Sequence, residues 1–172
     1  PASSTITLRS GEPSPAYEVR GMSDAGVKVR TATIPERVLS WDRVEKIEGP
    51  LAGEAKAYMP LAEAAWRARV RLERGDAAAA ETIYEDLFKT HAGQSGPTAA
   101  AIAEGLMRCR LRRGAQAAAV GAYLAWFEAA TPLQDYVQAV NARDIPECPI
   151  FVDPATGLIP ALPPMWINTP AT

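Results

Sequence analysis

Arg67, Arg71 and Arg74 stand four and three residues apart, and Arg110 and Arg113 repeat the last of these intervals. On a helix such spacing puts guanidinium groups on one face, and a guanidinium is a planar fork that grips carboxylate or phosphate with two parallel hydrogen bonds. Fourteen of the eighteen basic residues are arginine, and eight of those fourteen lie between 67 and 113. A set of this kind can clamp carboxylates, a phosphate or a peptide C-terminus. It can also be structural, because cations near helix C-termini complement the macrodipole and Glu63 with Arg67 is a favourable i,i+4 pair. The other reactive residue types offer less. His91 is the single histidine, set between Thr90 and Ala92 where a surface loop is expected, with no spacing that relates it to Cys109, Cys148 or a serine. Glu81, Glu85 and Asp86 have the spacing of a solvated helix face. HExxH, CxxC, GxSxG, Walker and GxGxxG patterns are all missing. The sequence therefore points to no catalytic, cofactor-binding or metal-ligating residue and to a protein that is not an enzyme.

The elements that carry these arginines come from a repeat. RLERGDAAAAETIYEDLF at 71–88 returns 39 residues later as RLRRGAQAAAVGAYLAWF at 110–127, with nine of eighteen positions identical. A self-similar unit of this length is one supersecondary element stacked on its copy. Leu61, Ala65, Ala68 and Leu72 line one stripe of a first helix. Gly75 stops it and Asp76 caps a second, which carries Ala80, Ile83, Tyr84, Leu87 and Phe88 inward and Glu81 and Glu85 outward. Gln94 to Gly96 form a loop, Pro97 opens a third helix with Ile102, Leu106 and Cys109 aligned, and Gly114 repeats the part of Gly75. A fourth helix bears Ala119, Ala122, Tyr123, Trp126 and Phe127, and a fifth opens at Thr131 with Leu133, Tyr136, Val137 and Val140 inward. Trp66 and Val70 form a second apolar strip on the first helix, which predicts packing against the N-terminal region or a neighbouring subunit. The Arg-Gly turn, Ala80 and Ala119 five residues after each glycine, and Tyr84 and Tyr123 four further on resemble a tetratricopeptide-type (TPR-like) repeat over residues 59–143. The Trp-Leu-Gly run of that family is missing, and the period exceeds its usual length. The resemblance implies stacked helical hairpins whose first helices, and hence the arginines, line a concave protein-binding surface.

Residues 1–50 read as β structure. ITL at 6–8, Tyr17 with Val19, and Val27 with Val29 alternate apolar and polar, with Gly-containing breaks between them. RVLSWDRVEKIEG follows, where Val38, Trp41, Val44 and Ile47 are expected on one side of a turn running into a last strand. TITLRSGE, EVRGMSDAGVKVRT and SWDRVEKIEG resemble the SH3-like and Sm-like small barrels. That resemblance implies a curled barrel and, as an alternative function, nucleic-acid binding. Seven basic and seven acidic residues in this stretch leave no positive field to attract phosphate, and Tyr17 with Trp41 is a thin stacking platform.

From residue 144 the text is proline-rich, with no Lys or Arg. Leu158, Ile159, Leu162, Met165 and Trp166 would be costly to leave in water, so an extended apolar tail is expected to dock on its own body or on a neighbour. The spacings Pro146 to Pro149 and Pro160 to Pro163 raise docking onto an SH3-like groove as one route. Cys109 and Cys148 either pair or remain thiols.

The chain thus reads as α+β: a small β-barrel at 1–50, helical hairpins at 51–143 and a tail at 144–172. Its 48% apolar and 22% charged residues are globular values, and a formal charge of -2 argues against neutralising nucleic acid as its main work. The function expected is non-catalytic protein–protein interaction or assembly as a scaffold or structural subunit, alone or with copies of itself, with Arg67, Arg71, Arg74, Arg110, Arg113, Trp66 and the five tail residues at the contacts. No cofactor, small-molecule substrate or membrane span is called for. The start PASST suits a mature exported or periplasmic chain, with a cytoplasmic location as the alternative.

Overall fold

The computed structural model describes residues 4–9, 17–31 and 36–130. Apolar residues at every second position make the N-terminal strands: β1 (Ser4–Leu8), β2 (Glu18–Ser23), β3 (Gly26–Arg30), β4 (Arg37–Leu39) and β5 (Val44–Glu48). They form one antiparallel sheet in the order β4-β3-β2-β1-β5, so the first strand is flanked by the last and the rest form a meander. Ile6, Leu8, Val19, Val27, Val29, Val44 and Ile47 point to one face. Asp24 and Ala25 turn β2 into β3, and Gly26 follows with φ 143°. A side chain there would run into the Leu39 carbonyl of β4, so only glycine serves.

Between β4 and β5 lies a 3-10 turn, Trp41–Arg43. The expectation that Val38 joins Trp41, Val44 and Ile47 inside is corrected here. Residues 37–39 form a strand paired with β3, strand alternation sends Leu39 inward, and Val38 stands 37% exposed.

The helices follow as α1 (Ala52–Ala55), α2 (Met59–Glu73), α3 (Ala77–His91), α4 (Pro97–Arg112) and α5 (Gln116–Ala129). The short α1 was not foreseen. The fifth helix expected at 131–143 and the tail at 144–172 lie outside the described residues.

The repeated phrase is repeated in its hydrogen bonds. After α2, Gly75 (φ 88°) donates to the Leu72 carbonyl at 3.1 Å and Asp76 donates to that of Arg71 at 2.9 Å. After α4, Gly114 (φ 75°) donates to Leu111 at 3.0 Å and Ala115 to Arg110 at 2.9 Å. Each is a Schellman stop, which needs the left-handed conformation that glycine adopts without a Cβ penalty. The Asp76 carboxylate also accepts from the Ala79 amide at 3.3 Å and caps α3. α5 has Ala115 at the corresponding place and no side-chain cap.

Consecutive helices pack antiparallel, α2 on α3, α3 on α4 and α4 on α5. Their core holds Ala68, Leu72, Ala80, Tyr84, Ile102, Leu106, Met107, Cys109, Ala119, Ala122, Tyr123 and Trp126. The sheet has its own core, which includes Ala55 and Ala62 from the helices, and half-buried Leu61 packs against both.

Candidate functional site

Arg67, Arg71 and Arg74 lie exposed along one face of α2, as their spacing predicts. Their bonds are loose. Arg67 is 3.8 Å from Glu63, Arg71 is 3.3 Å from Asp76, and the Arg74 guanidinium has no ion pair or hydrogen bond among the described residues. Trp66, half-buried on the same helix, lies under the guanidinium of Arg9, 4.3 Å from the ring centroid. Arg9 is held there by its Nε donating to the Val44 carbonyl at 2.9 Å and its Nη2 to Glu63 at 2.7 Å. The second apolar strip of this helix thus meets the N-terminal region.

Arg69 points the other way. Its Nη1 donates to Asp42 at 2.6 Å, and the Ser40 hydroxyl donates to the same carboxylate. Asp42 and Ser40 are buried, so this ion pair lies at the junction of the 3-10 turn with α2. Beside it the Trp41 ring, fully buried, stacks on Tyr58 at 4.8 Å with planes 10° apart, and its Nε1 donates to the Ser23 carbonyl at 2.8 Å. Trp41 therefore fastens the sheet to the helices.

Arg110 and Arg113 turn back onto α3. Arg113 forks Glu81 through Nε at 2.8 Å and Nη2 at 2.9 Å, one bond to each carboxylate oxygen. Arg110 donates from Nη2 to Glu85 at 3.0 Å and from Nη1 to the Ala118 carbonyl at 2.7 Å, with its Nε 3.5 Å from Glu81. Glu81 was expected on a solvated face, and the structure corrects this: the residue is 8% exposed. Its outward position on α3 becomes the contact between hairpins once α4 lies alongside. The Arg113 hydrogen bonds hold its carboxyl below the usual range against the opposing effect of burial. Arg112 reaches further back, donating to the Leu72 carbonyl at the end of α2 at 2.6 Å.

The five arginines singled out in the sequence accordingly separate into two groups. Arg110 and Arg113 come together as a clasp between hairpins, while Arg67, Arg71 and Arg74 face outward from α2. Leu158, Ile159, Leu162, Met165 and Trp166 lie outside the described residues. His91, expected in a loop, is the last residue of α3, half-buried, with Nδ1 2.8 Å from the Leu87 carbonyl. An imidazole there complements the free carbonyls of the helix end.

Three features escaped the sequence reading. Gly105 lies where a Cβ would overlap the ring of Tyr84, so α3 and α4 touch through a glycine and a tyrosine. Burial pushes the Tyr84 hydroxyl above its ordinary range. Thr98, fully buried, accepts from the Trp41 amide at 3.2 Å, and its own amide donates to the Ala25 carbonyl at 3.1 Å, tying α4 to the sheet. The Asp42 and Arg69 pair is the third. Its one signal in the sequence is an acid beside a tryptophan.

Among the described residues no group of His, Cys, Asp and Glu could hold a metal ion, and no helix is long and apolar enough to cross a membrane. Neither protein-family models, nor curated proteins, nor solved structures give a match to this chain.

Proposed function

We infer that the protein is a non-catalytic interaction or assembly subunit, in which a rigid helical body presents a cationic face and residues 158–166 reach a partner. The observation that carries this is the outward face of α2. Arg67, Arg71 and Arg74 stand exposed in a row, on a helix held to the sheet through Arg69 and Trp66 and to α3 through Ala68 and Leu72. Three guanidinium groups on a fixed element are pre-organised for carboxylates, since little backbone freedom is lost on binding. The TPR-like reading of the helices is supported by the matching glycine stops, by Ala80 and Ala119 at zero exposure, and by Tyr84 and Tyr123 in the groove beside them. The SH3-like reading of the sheet is supported by a first strand flanked by the second and the last, with a 3-10 turn before the last. Nucleic-acid binding by that barrel is the weaker alternative, because Tyr17 and Trp41 are buried and offer bases no stacking surface.

The test is the solution mass of residues 1–172 by light scattering, beside a chain ending at Asp144 and a full-length Arg67→Glu, Arg71→Glu, Arg74→Glu variant. An oligomer for the full chain and a monomer for the other two is expected. Monomers throughout would remove self-assembly, and a monomer that also retains no protein partner would remove the reading.

A further inference from the structure

The 39-residue register runs past the two hairpins. Residues 136–152 align with 97–113, and the alignment keeps Ala139 for Ala100, Ala142 for Ala103 and Cys148 for Cys109, with Ile145 for Leu106 and Ile150 for Leu111. Ala103, Leu106 and Cys109 are residues that α4 buries. Elsewhere the copy departs, with Gln138, Asn141 and Pro146 for the buried Ala99, Ile102 and Met107, and with Pro149 for Arg110 and Val152 for Arg113. Those arginines clasp Glu81 and Glu85 on α3. One register on, the places of Glu81 and Glu85 are taken by Val120 and Leu124 of α5. Both sides of the contact between hairpins thus change together, from an ion-paired clasp to an apolar pair.

The two ends of the helical stack differ in the same sense. On α2 the counterparts of buried Ile102 and Leu106 are Glu63 and Arg67, a polar stripe of the kind that closes a repeat array toward water. On α5 the outward residues Ala117, Val120 and Gly121 carry no charge and Leu124 stands 47% exposed, with Glu128 in the last turn the one charged residue of the helix. A helix apolar on this side as well as on its core side is built to be covered. The chain continues directly from its end, with 42 residues beyond Ala130 and no Lys or Arg after Arg143.

We propose that the outward face of α5, centred on Val120 and Leu124, is the docking site of this chain's own residues 145–152, a third and degenerate copy of the unit that contains α4. Ile145, Cys148 and Val152, the sequence counterparts of Leu106, Cys109 and Arg113, supply the apolar side chains. Pro146 and Pro149 bar a regular helix through this copy, so the docking is of apolar side chains and not of another stacked helix. Tethering to the end of α5 makes the contact intramolecular, with an effective concentration in the millimolar range or above. This assignment uses 145–152 to close the stack and leaves 158–166 for the partner.

The experiment is amide hydrogen exchange, read by NMR on residues 117–128, in the full chain and in a full-length Ile145→Asp, Val152→Asp variant. Exchange about 10-fold faster in the variant is expected, with the sheet amides of Val27 and Val29 unchanged. A full-length Leu158→Asp, Trp166→Asp control is expected to leave α5 as it is. If the first variant loosens the sheet as well, Val152→Ala replaces it and is expected to speed α5 alone. The proposal is overturned by unchanged α5 exchange, by equal loosening in the control, or by protection that grows with protein concentration, since the occupant would then be a second copy. The solution mass of the Leu158→Asp, Trp166→Asp variant keeps the two readings apart: a mass that depends on 158–166 supports the partner reading whatever covers α5.

Discussion

Gly105 and Tyr84 show how one residue's missing atoms decide a contact. The ring of Tyr84, 4% exposed, occupies the space that a Cβ at Gly105 would fill, and both belong to helices that favour alanine over glycine by about 1 kcal/mol. Two opposing effects therefore meet in Gly105→Ala: a propensity gain of about 1 kcal/mol and an overpacking cost of about 1 to 3 kcal/mol. Overpacking wins because the neighbour is a buried ring enclosed by α3, with nowhere to retreat. At Gly121 on α5 no atom of the described residues lies within 4 Å of the equivalent Cβ, so the propensity gain dominates. Thermal unfolding should show Gly105→Ala melting below the wild type and Gly121→Ala slightly above it, with about 2 to 4 °C for each kcal/mol in a chain of this size. Two variants that shift the same way would mean that Tyr84 does not lie on α4 as described.

The contact between α3 and α4 rests on a carboxylate as well as on apolar packing, and this makes it sensitive to acid. Arg113 holds the Glu81 carboxyl below its ordinary value of 4.5, so folding favours the ionised form. A carboxyl with a depressed folded pKa contributes stability that is full above the unfolded value and is lost as the pH falls through the folded one. The wild type should therefore lose stability relative to Glu81→Gln as the pH drops below about 4.5, and the two denaturation midpoints should converge. At neutral pH Glu81→Gln should be the less stable, by about 1 to 3 kcal/mol, because Arg110 is largely buried against it. A difference that stays constant with pH would show the pair to be solvent-screened. The sequence made the helices and their glycine stops legible, since Leu72, Ala80 and Tyr84 recur at helical spacing and φ at Gly75 and Gly114 admits few other residues. It misplaced Glu81 because the pattern of one helix says which face is polar, and only the neighbouring helix says what covers it. Val38 was misjudged for a related reason. Treating 38–47 as one turn hid the short strand that sends Leu39 inward. The arginine row was legible as a face of α2, while the partition of Arg110 and Arg113 into a clasp depended on how α4 lies against α3.

Across the whole molecule the sheet and the helices are joined at a small area in which most bonds converge on the 3-10 turn. Trp41 is fully buried against Tyr58, its ring nitrogen donates to Ser23 of β2, and its amide donates to Thr98 of α4. Arg69 of α2 reaches Asp42 of the same turn, and the Ala25 carbonyl of the β2–β3 hairpin accepts from the Thr98 amide. Removing a buried tryptophan side chain costs about 3 to 5 kcal/mol, a large share of the 5 to 15 kcal/mol that holds a typical domain. That cost falls on the joint: the helices keep their own core of Leu106, Tyr123 and Trp126, whereas the sheet core is built around Trp41. In the wild type the amides of Val29 in the sheet and Leu106 in α4 should exchange through one common opening. In Trp41→Ala the Val29 amide should exchange faster than that of Leu106, as the sheet opens while the helices stay closed. Thr98→Val makes the milder version of the same cut. It leaves the Trp41 amide buried without its acceptor at about 1 to 3 kcal/mol, and should separate the two amides in the same order by a smaller factor. Equal exchange at Val29 and Leu106 in both variants would place the coupling elsewhere, with the Asp42 and Arg69 pair the next bond to cut.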